Sequence, residues 1–180
     1  MAKQVEKRNK TETKITVKIP DYITGADKAE VGNRVIDFIR ERTFDGNNVN
    51  GTKWQGKAGK YTKEYADEKG YSSPVDLELS GKMLAAMRQF KGKNKPGDLI
   101  IGYTKGSEQE RKAEGNIRGT YGQKSPIAGK ARPFLDILGT DVAKIVLDYT
   151  AERAKKSRKK PVKGKPLKQD IKKPGFFTFG

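Results

Sequence analysis

The hydrophobic residues near the start of the chain change their spacing within one short stretch, and this change limits the folds that the chain can adopt. In residues 14–20 apolar and polar residues alternate, which predicts a strand with one buried face that ends at Pro20. In residues 24–44 the apolar residues recur three or four positions apart, which predicts an amphipathic helix. A half-buried strand followed by an amphipathic helix favours an α+β domain, in which helices cover a sheet.

Three further segments carry regular hydrophobic patterns. Residues 80–90 predict a helix capped by Ser80, and residues 98–103 predict a short apolar strand. Residues 140–149 predict a last helix with an apolar stripe at three-to-four spacing. The buried face predicted for the helix at 80–90 consists of Met83, Leu84, Met87 and Phe90.

Two long polar segments lie between these elements. Residues 45–74 are rich in Gly and Asn, with a short helix predicted near their end, and residues 107–131 are polar and rich in Gly. A loop as long as residues 45–74 inside a domain is usually functional or partly disordered, and we interpret residues 107–131 as a second polar loop. The predicted fold is therefore α+β, with a small mixed or antiparallel sheet, two or three packed helices, long loops and extended basic termini.

The composition divides the chain into one domain and two extensions. Hydrophobic residues make up 33% of the 180 residues and charged residues 34%, which implies a modest core and segments outside it. We expect a flexible N-terminal arm over residues 1–13, an α+β domain over residues 14–150, and a basic C-terminal extension over residues 151–180.

The chain contains neither cysteine nor histidine, and this excludes several kinds of chemistry. Disulfides, zinc sites built from Cys or His, and cysteine nucleophiles are all ruled out. The usual general base near neutral pH is missing as well. The sequence predicts no catalytic residue, no metal site and no cofactor.

Charge and hydropathy indicate the kind of partner. The formal net charge is +17, which favours a polyanion such as nucleic acid or a negatively charged protein surface. No apolar run is long enough to cross a bilayer, and the N-terminus lacks the apolar core of a secretory signal. We therefore expect no membrane partner, and synthesis in the cytoplasm.

A metal-dependent nuclease is one enzymatic alternative. Pro20-Asp21 followed by Asp67-Glu68-Lys69 matches, in outline, a pattern that binds Mg²⁺ through carboxylates. The second half of the pattern lies in a Tyr/Gly-rich segment rather than in an apolar strand, which disfavours this interpretation. The stretch GNIRGTYG, residues 115–122, lacks the Lys-Ser/Thr ending of a phosphate-binding loop, and we interpret it as a flexible loop.

Four segments in order resemble one protein family. A helix leads into GNNVNGTKWQGKAGKYTKEY, then come DLELSGKMLAAM, DLIIGY and finally GKARPFLDI before the last helix. This order resembles the tail-completion, or virion-morphogenesis, proteins of tailed bacteriophages, which belong to the head-to-tail joining and minor tail proteins. That family often has a Tyr-Ala … His-Gln-Phe-Gly segment before the Arg-Pro-Phe-Leu motif, and this chain has no histidine there.

The resemblance implies a structural virion protein that catalyses no reaction. It implies an oligomeric ring, expected to be a hexamer, at the head–tail junction or tail, in contact with neck or connector proteins and tail tube proteins. Residues 44–75 and 104–131 are then expected to form subunit contacts. An inward-facing basic surface would in addition face packaged DNA or an acidic tube lumen.

Five residues are candidates for subunit or partner contact within the domain. Pro133 sets the turn, and Phe134 and Leu135 are expected to fill the core between the last helix and the sheet. The guanidinium of Arg132 can bind a carboxylate or a helix C-terminus, either in its own subunit or in the next one. Trp54 and Tyr61 are the aromatic candidates within the Gly/Asn-rich segment.

The C-terminal extension supplies the remaining candidates. The aromatic segment GFFTFG, residues 175–180, is expected to dock on its own domain, a neighbouring subunit or a partner through Phe176, Phe177 and Phe179. The alternative function is nonspecific nucleic-acid binding through the basic extension. Its candidate contacts with DNA or an acidic surface are Lys155, Lys156, Arg158, Lys159 and Lys160.

Overall fold

Five helices and a three-stranded antiparallel sheet form the part of the chain that the structure describes. This computed structural model describes residues 13–71, 75–77, 81–90, 97–121 and 125–158. The elements in chain order are β1 (Lys14–Lys18), α1 (Gly25–Phe44), α2 (Lys63–Lys69), α3 (Lys82–Ala85), β2 (Arg88–Phe90), β3 (Asp98–Gly102), α4 (Glu108–Arg118) and α5 (Gly139–Arg158). The α+β prediction is confirmed, and the sheet is antiparallel.

The sheet has the order β1-β3-β2, with β3 in the centre. Val17 of β1 lies opposite Leu99 of β3, and Phe90 of β2 lies opposite Ile100. Val17, Leu99 and Ile101 are buried, so the alternation read from residues 14–20 corresponds to one covered face.

Helices α1 and α5 pack against each other and against the sheet. Val31, Val35 and Ile39 of α1 are fully buried, as the helical spacing predicts. Val142 and Val146 of α5 are buried beside them in the same core. The two longest helices therefore supply the apolar layer that covers the sheet.

Polar contacts join the exposed edges of the two helices. Arg34 of α1 donates two hydrogen bonds to the carboxylate of Glu152 on α5, at 3.1 and 2.7 Å. The hydroxyl of Tyr149 donates to Oδ1 of Asp27 at 2.5 Å. These contacts hold α5 along α1 beyond the apolar stripe.

The helix predicted over residues 80–90 is wrong beyond its first turn. Residues Lys82–Ala85 form a single helical turn, and Phe90 lies in β2. The guanidinium of Arg40 on α1 accounts for the end of the turn, because it donates to the carbonyl oxygens of Leu84, Ala85 and Met87 at 2.9–3.0 Å. A tertiary contact has taken the acceptors that a continuing helix would use.

Residues predicted as a polar loop contain the helix α4. The side chain of Ser107 caps it by accepting from the backbone N–H of Glu110, and Gly119 ends it in the left-handed conformation. Only Ala113 and Gly115 of this helix are buried, so it has almost no apolar stripe to detect.

Helix α5 runs to Arg158, so the predicted domain boundary at residue 150 falls inside a helix.

Candidate functional site

A cleft of about 670 Å³ opens between α2, α4 and the segment that precedes α5. Its apolar and aromatic lining is supplied by Tyr61, Tyr65, Leu77, Met83, Tyr121 and Ile127, and its charged lining by Glu108, Arg111, Lys112, Lys130 and Arg132. A volume in this range holds a small ligand or a few residues of a chain. The cleft is therefore the candidate functional site.

Arg132 is the buried cation of the cleft, with 3% of its surface exposed. Its Nε donates to the carbonyl oxygen of Ala58 at 2.7 Å, and one terminal nitrogen donates to that of Lys60 at 3.0 Å. The guanidinium lies 5.5 Å from the ring centre of Tyr61 and 5.3 Å from that of Tyr121. Burial lowers the pKa of Arg132. Among the described residues no carboxylate pairs with it.

A buried polar network fixes the Tyr61 wall of the cleft. The Tyr61 hydroxyl donates to Oδ1 of Asp76 at 2.7 Å and accepts from the backbone N–H groups of Asp76 and Leu77. Lys69 and the hydroxyl of Tyr71 also donate to the Asp76 carboxylate. Burial, reinforced by the hydrogen bond to Asp76, raises the pKa of Tyr61, so its hydroxyl stays neutral and keeps donating.

Backbone strain is concentrated in this lining. Leu77 and Tyr121 have φ angles of 57° and 47°, and within the described ranges they are the non-glycine residues with positive φ. Both line the cleft. The Tyr121 hydroxyl donates to the carbonyl oxygen of Lys130 at 2.8 Å, which helps to hold this conformation. Strained residues persist where the surrounding structure determines them, and they cluster at functional sites.

The charges around the cleft are mostly positive. Burial, together with the charges of Arg132 and Lys57, lowers the pKa of Lys130. Lys112 pairs with Glu108 at 2.8 Å, and this hydrogen bond lowers the pKa of Glu108. Glu108 is the carboxylate in a lining that holds four cationic side chains. The arrangement can bind a ligand that has both a planar or apolar part and a negative charge.

The structure shows contacts within the chain for three residues of the Arg-Pro-Phe-Leu motif: Arg132, Phe134 and Leu135. Phe134 is fully buried and meets the ring of Tyr103 edge-on at 6.5 Å, and Leu135 is buried beside it, as the predicted core filling requires. Arg132 binds backbone carbonyl oxygens of its own chain rather than a carboxylate or a helix C-terminus. Contact of Arg132, Phe134 and Leu135 with another subunit or a partner stays a prediction, and within one chain all three side chains are buried.

The other candidate residues are spread over the structure. Tyr61 lines the cleft, whereas Trp54 packs against the core and its Nε1 is buried without a hydrogen-bond partner. Lys155 and Lys156 are exposed near the end of α5, and Arg158 is its last residue. Lys159, Lys160, Phe176, Phe177 and Phe179 lie outside the described residues.

The sequence patterns did not predict Tyr65, Tyr121 or Lys130 as site residues. Tyr121 belongs to GNIRGTYG, which we interpret from the sequence as a flexible loop. Lys130 lies two positions before Arg132, the first residue of the Arg-Pro-Phe-Leu motif. The signal that could have found them is the interleaving of aromatic and basic residues on both sides of the Gly-rich segment.

The nuclease pattern does not assemble in the described residues. Asp67 and Glu68 are exposed on α2, while Lys69 forms an ion pair with Asp76. No group of three or more acidic side chains within the described ranges is placed to hold a metal ion.

None of the helices in these ranges is long and apolar enough to cross a membrane.

Comparisons with protein-family models, with curated proteins and with solved structures found no match to this chain. Its functional interpretation therefore depends on the residues and the geometry described above.

Proposed function

We propose that this protein is a structural component of a tailed-phage virion, which completes the neck or tail as an oligomeric ring and catalyses no reaction. One contact carries the proposal: Arg132 of the GKARPFLDI motif donates to the carbonyl oxygen of Ala58 in the Gly…Trp…Tyr segment. Two distant motifs on which the family resemblance depends are thus in physical contact. The α+β architecture is the one that the resemblance implies.

The contact orders a segment without regular secondary structure. Residues 45–62 form no helix or strand and contain an isolated bridge between Asn47 and Lys53, so turn hydrogen bonds and side-chain contacts hold them in place. A Cβ on Gly59 would lie 2.3 Å from the carbonyl oxygen of Trp54, which shows how tightly the turn closes. An ordered irregular segment gives a ring subunit a defined surface for its neighbours, and we propose this role for residues 45–62 within the predicted contact region 44–75.

Exposed apolar side chains at the end of α1 and directly before α5 support self-association. Phe44 is 56% exposed and Leu138 is 39% exposed. Large apolar side chains that remain exposed in one subunit are commonly covered in an assembly. We propose that Phe44 belongs to the subunit interface of the ring.

Electron microscopy of virions that contain this protein tests the proposal directly. The expected result is a ring of density at the head–tail junction or along the tail. Absence of the chain from every mature particle would overturn the structural role.

Solution assembly provides a second measurement. Native mass spectrometry of the purified chain is expected to show an oligomer, with a hexamer as the expected state. Phe44→Asp is expected to release monomers that stay folded, whereas Tyr22→Asp, which changes another exposed aromatic residue, is the matched control. Removal of residues 175–180 is expected to leave the fold intact and to block assembly.

Nonspecific nucleic-acid binding through the basic C-terminal extension is the second candidate function. Lys155 and Lys156 are exposed on α5 and form no ion pair among the described residues. This function predicts a steep loss of DNA affinity with salt, and loss of binding when residues 151–180 are removed. In a Lys155→Ala, Lys156→Ala double variant, which keeps residues 175–180, an intact ring together with weakened DNA binding would assign the two functions to different parts of the chain.

A further inference from the structure

We infer that the cleft binds a nucleobase that carries a phosphate, with the base against the rings of Tyr65 and Tyr121 and the phosphate against Lys130. This inference goes beyond the structural role and does not depend on it. The nucleobase could belong to a single strand or to a free nucleotide, because the chemistry at the cleft is the same for both.

The aromatic lining provides the surface for the base. Tyr61 and Tyr65 lie 4.8 Å apart between ring centres, and Tyr121 lies across the guanidinium of Arg132. Tyr121 is 38% exposed although it lines the cleft, so part of its ring remains available. Nucleobases stack on tyrosine rings and on guanidinium planes, whatever the sequence.

The charges select an anionic ligand over a neutral one. Lys130 and Arg132 have no carboxylate partner among the described residues, and the nearby Lys57 has none either. A Cβ on Gly129 would lie within 4.0 Å of the Lys57 side chain, which places this lysine beside the segment that carries Lys130. Cations gathered at one place repel one another, and a bound phosphate would relieve this repulsion.

Strained backbone conformations in the cleft lining indicate that the fold maintains the shape of this site. The described non-glycine residues with positive φ, Leu77 and Tyr121, lie in its lining. A side chain in that conformation is strained, and the fold maintains both through hydrogen bonds at Tyr61 and Lys130. The strain sets the position of the Tyr121 ring against the cleft.

Fluorescence anisotropy with the full chain tests the inference. The probes are a short labelled oligothymidylate and an abasic strand with the same number of phosphates. We expect tighter binding of the oligothymidylate, because only this probe can stack. Equal affinity for the two probes, or no binding of either, would overturn the inference.

Variants locate the site. Tyr65→Ala with Tyr121→Ala is expected to weaken oligothymidylate binding about tenfold or more, the loss typical of a removed stacking ring. Tyr65→Phe keeps the ring and is expected to retain binding. Tyr22→Ala, which removes an exposed tyrosine outside the cleft, is the matched control and is expected to bind as the unchanged chain does. Unchanged affinity in the double variant would overturn the inference.

Salt dependence tests the phosphate contact. Lys130→Ala is expected to lower the slope of log affinity against log salt by about 0.7, the value for one phosphate contact on a single strand. Lys144→Ala changes an exposed lysine of α5 and is expected to leave the slope unchanged. Circular dichroism and thermal unfolding of each variant confirm that its fold is retained.

Competitors distinguish the sources and the other possible occupants. Displacement of the probe by thymidine monophosphate assigns the site to a free nucleotide, and displacement by oligonucleotides alone assigns it to a single strand; either result supports the inference. An acidic peptide, or a peptide of residues 174–180, that binds more tightly than the oligothymidylate and loses binding in the double variant would overturn it in favour of a protein segment.

Discussion

Arg132 donates a hydrogen bond from Nε to the carbonyl oxygen of Ala58 at 2.7 Å, across 74 positions of the chain. A second bond reaches the carbonyl oxygen of Lys60 at 3.0 Å. Irregular backbone leaves more of its carbonyl groups without backbone partners than a helix or sheet does, and a buried guanidinium offers five donors in a fixed plane. One side chain therefore joins the segment before α5 to the segment around Trp54.

Two arginines of α1 work in the same way. Arg40 donates to the carbonyl oxygens of residues 84, 85 and 87, and Arg42 donates to those of Phe134 and Asp136. Burial lowers the pKa of Arg42, while the charges of Asp136 and Asp141 oppose that shift. A chain with a small sheet thus uses arginines in place of strand pairing to hold its irregular segments.

Replacing Arg132 tests this description. Arg132→Met keeps an unbranched apolar stem but leaves the carbonyl oxygens of Ala58 and Lys60 without their donors. We expect the free energy of unfolding to fall by about 2–4 kcal/mol, because hydrogen bonds to charged groups contribute more than neutral ones. Urea unfolding measures the change. Arg118→Met breaks only a surface pair with Glu114 and is expected to cost about 0.5 kcal/mol or less; equal losses in the two variants would contradict the role of Arg132.

The periodic parts of the fold were predictable from the sequence. The strand at residues 14–20 and the helix at residues 25–44 follow from apolar spacing, because each element buries one face against the core. The burial of Phe134 and Leu135 was also predicted correctly. These residues are apolar, and exposing them to water costs free energy whatever the surrounding tertiary contacts are. Their burial is therefore predictable from residue type.

Contacts between distant segments were not predictable in the same way. The helix predicted from Ser80 ends after one turn, because Arg40 binds the carbonyl groups that follow. Helix α4 was missed since it buries only Ala113 and Gly115, which leave no hydrophobic period. The cleft was missed for a related reason: its tyrosines and cations come from segments that the tertiary fold alone brings together.

Gly119 at the end of α4 is expected to contribute to stability for two reasons, its backbone conformation and its close approach to Ala131. Gly119 has φ +74°, and a Cβ there would lie 2.8 Å from the backbone nitrogen of Ala131. Gly119→Ala is therefore expected to lower the free energy of unfolding by about 2–4 kcal/mol, since overpacking against backbone adds to the conformational strain. Gly106 has φ +78° and open space around it, so Gly106→Ala is expected to cost only about 1 kcal/mol. Equal losses in denaturant unfolding would show that the approach to Ala131 relaxes freely.

Removing one tyrosine hydroxyl is expected to stabilise the chain, and removing another to destabilise it. The hydroxyl of Tyr103 is buried and has no hydrogen-bond partner among the described residues, so Tyr103→Phe is expected to raise the free energy of unfolding by about 1 kcal/mol. Tyr61→Phe removes one donor to Asp76 and one acceptor for two backbone N–H groups, so it is expected to cost about 1–3 kcal/mol. Thermal and urea unfolding of both variants measure the signs. A loss of stability in Tyr103→Phe would indicate that its hydroxyl has a partner after all.

Alkaline pH is expected to destabilise the fold through these same tyrosines. Burial raises the pKa of Tyr61 and of Tyr103, whereas an unfolded tyrosine titrates near pH 10. Above about pH 10 the unfolded chain therefore loses protons that the folded chain keeps, and the free energy of unfolding falls by about 1.4 kcal/mol per pH unit for each such tyrosine. The contribution is fully present below about pH 10 and is lost as the pH rises toward the folded-state pKa values.

Urea unfolding at about pH 9 and about pH 11 measures this dependence. Tyr103→Phe removes one of the contributing protons, so its stability is expected to fall less between the two pH values than that of the unchanged chain. Tyr22→Phe removes a tyrosine that is 71% exposed and is the matched control, with the pH dependence of the unchanged chain expected. If Tyr103→Phe and Tyr22→Phe lost stability equally over this interval, the Tyr103 hydroxyl would have to ionise as readily in the folded chain as in the unfolded one, which its burial opposes.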